Sequence, residues 1–164
     1  MNPRRNPGRR SARGFTAVEL MTVLALVALL AAVALPALAD VVTNQRLRAA
    51  GTDMMSSLLM ARSEAIKRNA AVQVVPVTGD DWRSGWRVAT VGTDEQVDRK
   101  SALGVRVAVS LAPGEIVYER NGRLAVPGLA RIEFADSDAQ DGIKPRCVLI
   151  EPSGLPRMTL GACS

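Results

Sequence analysis

Phe15-Thr16-Ala17-Val18-Glu19, followed by Leu20 to Ala39 without a single charge, is the stretch that decides the fold. Those twenty uncharged residues span roughly 30 Å as a helix, the thickness of a bilayer core. Ahead of them, residues 1–14 hold Arg4, Arg5, Arg9, Arg10 and Arg13 and no acid. A basic flank before an apolar span is held on the cytoplasmic side, so the remainder of the chain should face outward. The helical pattern does not stop at Ala39. Leu47, Met54, Leu58, Ala61 and Ala65 recur at spacings of seven and four, the apolar stripe of an amphipathic helix. Arg46, Arg48, Arg62, Glu64, Lys67 and Arg68 fall mostly off that stripe. The spacing predicts one helix from Phe15 to about Asn69, roughly 80 Å long.

The charge balance supports the same division. The chain has 164 residues, a net charge of +5 and a sequence pI near 10.0, values that taken alone suggest an anionic partner. The whole excess lies in residues 1–14, however, and residues 15–164 hold sixteen bases and sixteen acids. Histidine is absent, which excludes His-based acid/base catalysis and His metal sites. Aromatic residues make up only 3%, too few for a base-stacking platform. No nucleophile sits in a recognisable motif, and there is no glycine-rich phosphate loop and no C-x-x-C pair. The expectation is a chain that is not an enzyme, with no catalytic residue, no metal and no cofactor.

Two targeting signals compete for the N-terminal region. An ordinary secretory signal would be cut after the small-residue pattern Ala37-Leu38-Ala39. The other cut falls between Gly14 and Phe15, ahead of the apolar run. Glu19 favours the second, because a carboxylate at the start of an apolar span is costly and usually functional. The helix continuing beyond Ala39 favours it too, since a signal peptide has no reason to run into an amphipathic helix. Gly14-Phe15-Thr16-Ala17-Val18-Glu19-Leu20-Met21 resembles the type III signal of type IV pilins and type II secretion pseudopilins. The resemblance implies that a prepilin peptidase cuts after Gly14 and N-methylates Phe15, leaving Glu19 as the fifth mature residue. Ala17 departs from the large aliphatic residue usual at its position. In such proteins the Glu19 carboxylate meets the freed amine of Phe15 in a neighbouring subunit; snorkelling at the headgroup level is the plainer alternative. Pro36 removes a backbone hydrogen bond and should bend the helix, at a place where pilin helices loosen on assembly.

Beyond Asn69 the pattern changes to short strands. Ala71–Val77 is a β-branched run, the turn-like Thr78-Gly79-Asp80-Asp81 precedes a strand at Trp86–Val91, and Val105, Val107, Val109 and Leu111 alternate with other residues. Ile116–Tyr118 leads into Asn121-Gly122, a hairpin signal. Residues 131–134, Cys147–Ile150 and Arg157–Leu160 complete six or seven strands. Gly92–Ala102 and Asp136–Pro145 read as mobile loops. One long helix followed by strands is an α+β fold. Ala61-Arg62-Ser63-Glu64-Ala65-Ile66-Lys67-Arg68 and Trp82-Arg83-Ser84-Gly85-Trp86 resemble the GspH/FimT branch of pilin-like proteins. This implies a type IV pilin-like fold, its helix packed on an antiparallel head. Trp82 and Trp86 read most simply as core anchors. The expected organisation is a cleaved leader at 1–14, a transmembrane helix half at 15–39, an amphipathic half at 40–70 and a periplasmic head at 71–164.

Cys147 and Cys163 bracket two apolar runs separated by Pro152 to Pro156. Folding that segment about Leu155 brings the cysteines opposite each other, close enough for a bridge in an oxidising compartment; reduced thiols in a frayed terminus are the alternative. The family resemblance implies a structural subunit of a type II secretion pseudopilus. It would sit in the bacterial inner membrane beside other pilin or pseudopilin subunits, the prepilin peptidase, the inner-membrane assembly platform and membrane lipid. The alternative is a FimT-like minor pilin of a type IV pilus that binds DNA. Members proposed for that role carry a G-R-x-R element; here Gly154-Leu155-Pro156-Arg157 keeps only its last arginine. A basic patch would require Arg120, Arg123, Arg146 and Arg157 to come together.

Overall fold

The computed structural model describes residues 15–126 and 128–164, and the expected leader 1–14, with Gly14, lies outside the described residues. One helix, α1 (Ala17–Arg68), takes in both the apolar and the amphipathic stretch, position 36 included. It ends in a Schellman motif. Asn69 adopts a left-handed φ of 50°, its N–H donates to the Ile66 carbonyl at 3.3 Å, and the Ala70 N–H donates to the Ala65 carbonyl at 3.2 Å. Those two bonds satisfy carbonyls that a helix end otherwise leaves open.

The chain divides into two units, up to Leu38 and from Ala39 to Ser164. In the first, the helix carries its apolar side chains in the open, Leu29 at 66% and Val33 at 73% exposure. By length and composition it can cross a membrane.

The second unit begins in the amphipathic part of α1 and continues through eight strands among the described residues: β1 (Val72–Thr78), β2 (Asp81–Thr90), β3 (Gln96–Lys100), β4 (Val107–Ser110), β5 (Ile116–Tyr118), β6 (Ala130–Asp136), β7 (Arg146–Ile150) and β8 (Pro156–Leu160). They form two four-stranded sheets, ordered β3-β2-β1-β5 and β4-β6-β7-β8, and every paired neighbour is antiparallel. The stripe read from spacing is the helix's buried face: Leu47, Met54, Leu58, Ala61 and Ala65 are wholly buried. Trp86 from the first sheet and Phe134 from the second meet beside it, with ring centroids 6.3 Å apart. Burying a side chain such as Leu58 stabilises the unit by about 1.5–3 kcal/mol.

Several expectations need correction. Gly92–Ala102 is not all loop, because β3 occupies Gln96–Lys100 and pairs with β2 along the Trp86–Ala89 register. Asp136 belongs to β6 rather than to the loop after it. The strand expected at Trp86–Val91 starts five residues earlier, at Asp81, and includes Trp82. Gly85 makes this longer strand feasible. It has a φ of 89°, and a Cβ there would fall 2.7 Å from the Ser101 carbonyl carbon and closer still to the Lys100 carbonyl oxygen. Only glycine tolerates both the left-handed backbone and the crossing of the chain that follows β3. Trp82 and Trp86, on one face of β2, are both buried.

Candidate functional site

The start of α1 is built from its own side chains. Thr16 Oγ1 accepts a hydrogen bond from the Glu19 N–H at 3.2 Å, and the Leu20 N–H donates to the Thr16 carbonyl at 3.1 Å. Thr16 is therefore the N-cap and Glu19 the third helical residue, the T-x-x-E spacing of a capping box. A carboxylate in the first turn also opposes the positive end of the helix dipole. The signal for this cap is present in Thr16-Ala17-Val18-Glu19, although the reading from sequence takes Glu19 only for assembly or for snorkelling. Phe15, just ahead of the cap, is 76% exposed.

The cysteines are bridged, but not by the route that folding about Leu155 suggested. Ile150 pairs with Pro156 and Cys147 with Thr159, which centres the hairpin on Ser153. Gly154, at a φ of 82°, donates its N–H to the Glu151 carbonyl at 2.8 Å, so the turn is tighter than expected. Cys163 reaches Cys147 from beyond the strand. Gly161, at a φ of 118°, turns the chain, and the Cys163 N–H donates to Glu133 Oε2 at 2.6 Å. Glu133 is the β6 partner of Cys147, so this contact carries the tail across the sheet to its bridge, with Cα atoms 5.1 Å apart.

The four arginines do not share one face. Strand alternation puts Arg146 on the side of β7 that carries Val148 and Ile150, and its Cβ lies 3.6 Å from where a Cβ on Gly51 of α1 would be. Arg157 pairs with Leu149 and therefore occupies the opposite side, where its guanidinium binds Glu151 Oε1 at 3.1 Å. Arg120 and Arg123 are exposed on the turn after β5, closed by the Gly122 N–H on the Glu119 carbonyl at 2.7 Å.

Two polar contacts hold the unit together where sequence patterning had no purchase. The Trp86 indole N–H donates to the buried Ser57 hydroxyl at 2.9 Å. Arg106 grips Asp136 with Nε at 3.1 Å and Nη2 at 2.8 Å, and Nε lies 3.0 Å from Asp138. This hydrogen-bonded pairing with Arg106 holds the Asp136 carboxyl below the usual carboxylate range and raises the Arg106 guanidinium, in both cases against a smaller opposing effect of burial. Burial raises the Tyr118 phenol, whose hydroxyl finds no hydrogen-bond partner among the described residues. Among the described residues, no group of three acidic, cysteine or histidine side chains could hold a metal ion.

A long N-terminal helix that buries the stripe of its second half against an antiparallel β head is the architecture of type IV pilin-like subunits. Solved structures share it. The type IV minor pilin FimU of Pseudomonas aeruginosa matches with a TM-score of 0.59 at 19% identity, over 72% of this chain and 90% of that one. The minor pseudopilin EpsH of the Vibrio cholerae type 2 secretion system matches with a TM-score of 0.54 at 12% identity, over 70% and 97%. A family model, that of type II transport protein GspH, covers residues 50–154, and the chain belongs to this family of structural minor pilins and pseudopilins, which are not enzymes. None of the curated proteins matches the sequence.

Proposed function

We propose that the chain is a minor pseudopilin of a type II protein secretion system, assembling through its N-terminal helix into the tip of the pseudopilus. The observation that carries this is the unpaired surface of Ala17–Leu38, uncharged after Glu19 and largely exposed. Such a face is stable in a bilayer or against like helices and costly in water. In this reading a prepilin peptidase cuts between Gly14 and Phe15 and methylates the new Phe15 amine. The helix then holds the subunit in the bacterial inner membrane, leader on the cytoplasmic side and head in the periplasm. An assembly platform in that membrane passes it to neighbouring subunits. Glu19, in the first turn behind the Thr16 cap, then meets the Phe15 amine of a neighbour. Pro36 gives the span a place to bend. The arginines lend no support to DNA capture: Arg146 and Arg157 lie on opposite sides of one sheet, and residues 15–164 are neutral overall, which removes most of the attraction to phosphates.

Intact-mass measurement of the membrane form tests the processing. The expected mass lacks residues 1–14 and carries one methyl group, and a cut after Ala39 would refute the reading. Glu19→Ala should be processed normally yet enter filaments poorly; normal incorporation would show that its carboxylate has no assembly role.

A further inference from the structure

The edge strand β8 meets the helix through a methionine. Met158 pairs with Val148 and so lies on the inner side of the second sheet. Its Sδ sits 2.6 Å from where a Cβ on Gly51 of α1 would be. Gly51 is buried in the interior of that helix, where glycine is the least favourable residue after proline. Here the missing side chain has a use, because the thioether of Met158 fills the space that an alanine methyl would take. Of the other side chains that β8 turns inward, Pro156 lies at the turn and Leu160 is 61% exposed.

The backbone gives Met158 no hold of its own on β7. The Gly161 N–H donates to the Pro145 carbonyl at 2.9 Å, and the Glu151 N–H to the Leu155 carbonyl at 3.1 Å. Bonded pairs alternate along an antiparallel ladder, so Arg157 and Thr159 exchange bonds with Leu149 and Cys147. The N–H and carbonyl of Met158 therefore face the open edge, and its sulfur ties the middle of β8 to the helix. That sulfur is also within reach of chemistry, since Met158 is 36% exposed. The two cysteines are already bridged, which leaves the thioethers as the sulfur groups open to an oxidant.

We propose that Met158 is a site of reversible oxidation, a thioether latch that releases β8 from α1 when it becomes a sulfoxide. The oxidant is a peroxide. A sulfur lone pair attacks one oxygen of hydrogen peroxide, the O–O bond breaks, and hydroxide departs. It takes the proton from the sulfur-bound hydroxyl and leaves as water, so sulfur loses two electrons and the peroxide gains two. The product is polar, and the helix has little to offer it. The N–H groups of α1 around Gly51 already donate to carbonyls one turn back. Beside them, Arg146 turns its guanidinium to the Lys144 and Pro145 carbonyls, at 2.9 and 3.3 Å. The oxidised side chain finds better partners in water than on the helix. β8 then loosens while the Cys147–Cys163 bridge keeps the tail attached, and reduction of the sulfoxide closes the latch again.

The test uses the full chain in peroxide-free detergent micelles with its cysteines bridged. Hydrogen peroxide is added in steps, peptide mass spectrometry locates each added oxygen, and hydrogen exchange follows the amides of residues 157–160. Met60, 39% exposed on α1, and the wholly buried Met54 are the references. Met158 is expected to oxidise along with Met60 and well before Met54. Exchange at residues 157–160 should then quicken several-fold while that of β6 stays constant, and a methionine sulfoxide reductase should restore the slow rate. Met158→Leu keeps an apolar contact of similar volume and should show no response of β8 to peroxide. A Met158 as resistant as Met54 overturns the site. Oxidation of Met158 with unchanged exchange overturns the latch, and so does an equal acceleration in Met158→Leu.

Discussion

Replacing Gly85 with alanine separates two contributions that a glycine in a strand usually confounds. At its φ of 89°, any side chain incurs about 1–2 kcal/mol from the left-handed backbone. Gly79, in the β1–β2 turn at a φ of 50°, incurs the same cost on substitution, and a Cβ there would meet nothing within 4 Å. The Cβ of Gly85→Ala would instead lie 2.7 Å from the Ser101 carbonyl carbon and 2.8 Å from its oxygen. These are backbone atoms that cannot rotate away, so the end of β3 must shift and its pairing with Trp86 and Arg87 must loosen. Forcing backbone apart at a packed site adds about 1–3 kcal/mol. The total of ~2–5 kcal/mol is a large share of the ~5–15 kcal/mol that holds a domain folded. In a thermal melt of a head beginning at Ala39, about 3–5 °C per kcal/mol, Gly79→Ala should lower the midpoint by roughly 3–10 °C. Gly85→Ala should lower it further, by roughly 6–25 °C in all. If the two variants melt within about 2 °C of each other, the close approach of the two chains contributes nothing, and the W-x-x-G-W element needs another explanation.

Cys163→Ser opens a loop with a sequence separation of 16, and the chain-entropy relation puts the cost at about 3 kcal/mol; mild proteolysis should then trim the tail beyond Gly161 well before the head unfolds, and a tail as resistant as the wild type's would refute the tether. Acid should also expose the Arg106–Asp136 pair. Because the Arg106 guanidinium holds the Asp136 carboxyl below its ordinary range when folded, its contribution is complete above that ordinary range and is lost as pH falls through the lower folded pKa. Arg106→Gln should therefore flatten the acid limb of head stability below about pH 4, and an unchanged slope would remove the pair from the account.

What was legible in the sequence followed from burial with a period. Leu47, Met54, Leu58, Ala61 and Ala65 announce the helix because all five must enter one core. β3 stayed hidden because Gln96-Val97-Asp98-Arg99-Lys100 has one apolar residue, and an edge strand needs no more. The hairpin is centred two residues before Leu155, which shifts the pairing by four and sets Cys147 opposite Thr159, because Gly154 closes a tighter turn than its prolines suggest. The arginines separate because Arg146 and Arg157 sit opposite alternate residues of a pleated ladder, which no linear spacing reveals. The Thr16 cap was readable in its T-x-x-E spacing but was eclipsed by the more conspicuous carboxylate.

The open edges of the two sheets bear on how the molecule avoids wrong partners. β3 presents Asp98, Arg99 and Lys100 along its edge, β5 is three residues long with Val117 already accepting from the Ala125 N–H at 2.9 Å, and β4 has four residues. Charged or very short edges resist the addition of a foreign strand. A subunit held in a membrane beside its own copies, as proposed above, would be under constant risk of sheet-to-sheet aggregation, and these three edges, with the fourth, β8, opening on Pro156, discourage it. In the assembly proposed above, growth of an ordered polymer would be left to the apolar helix, and the heads could crowd together without fusing.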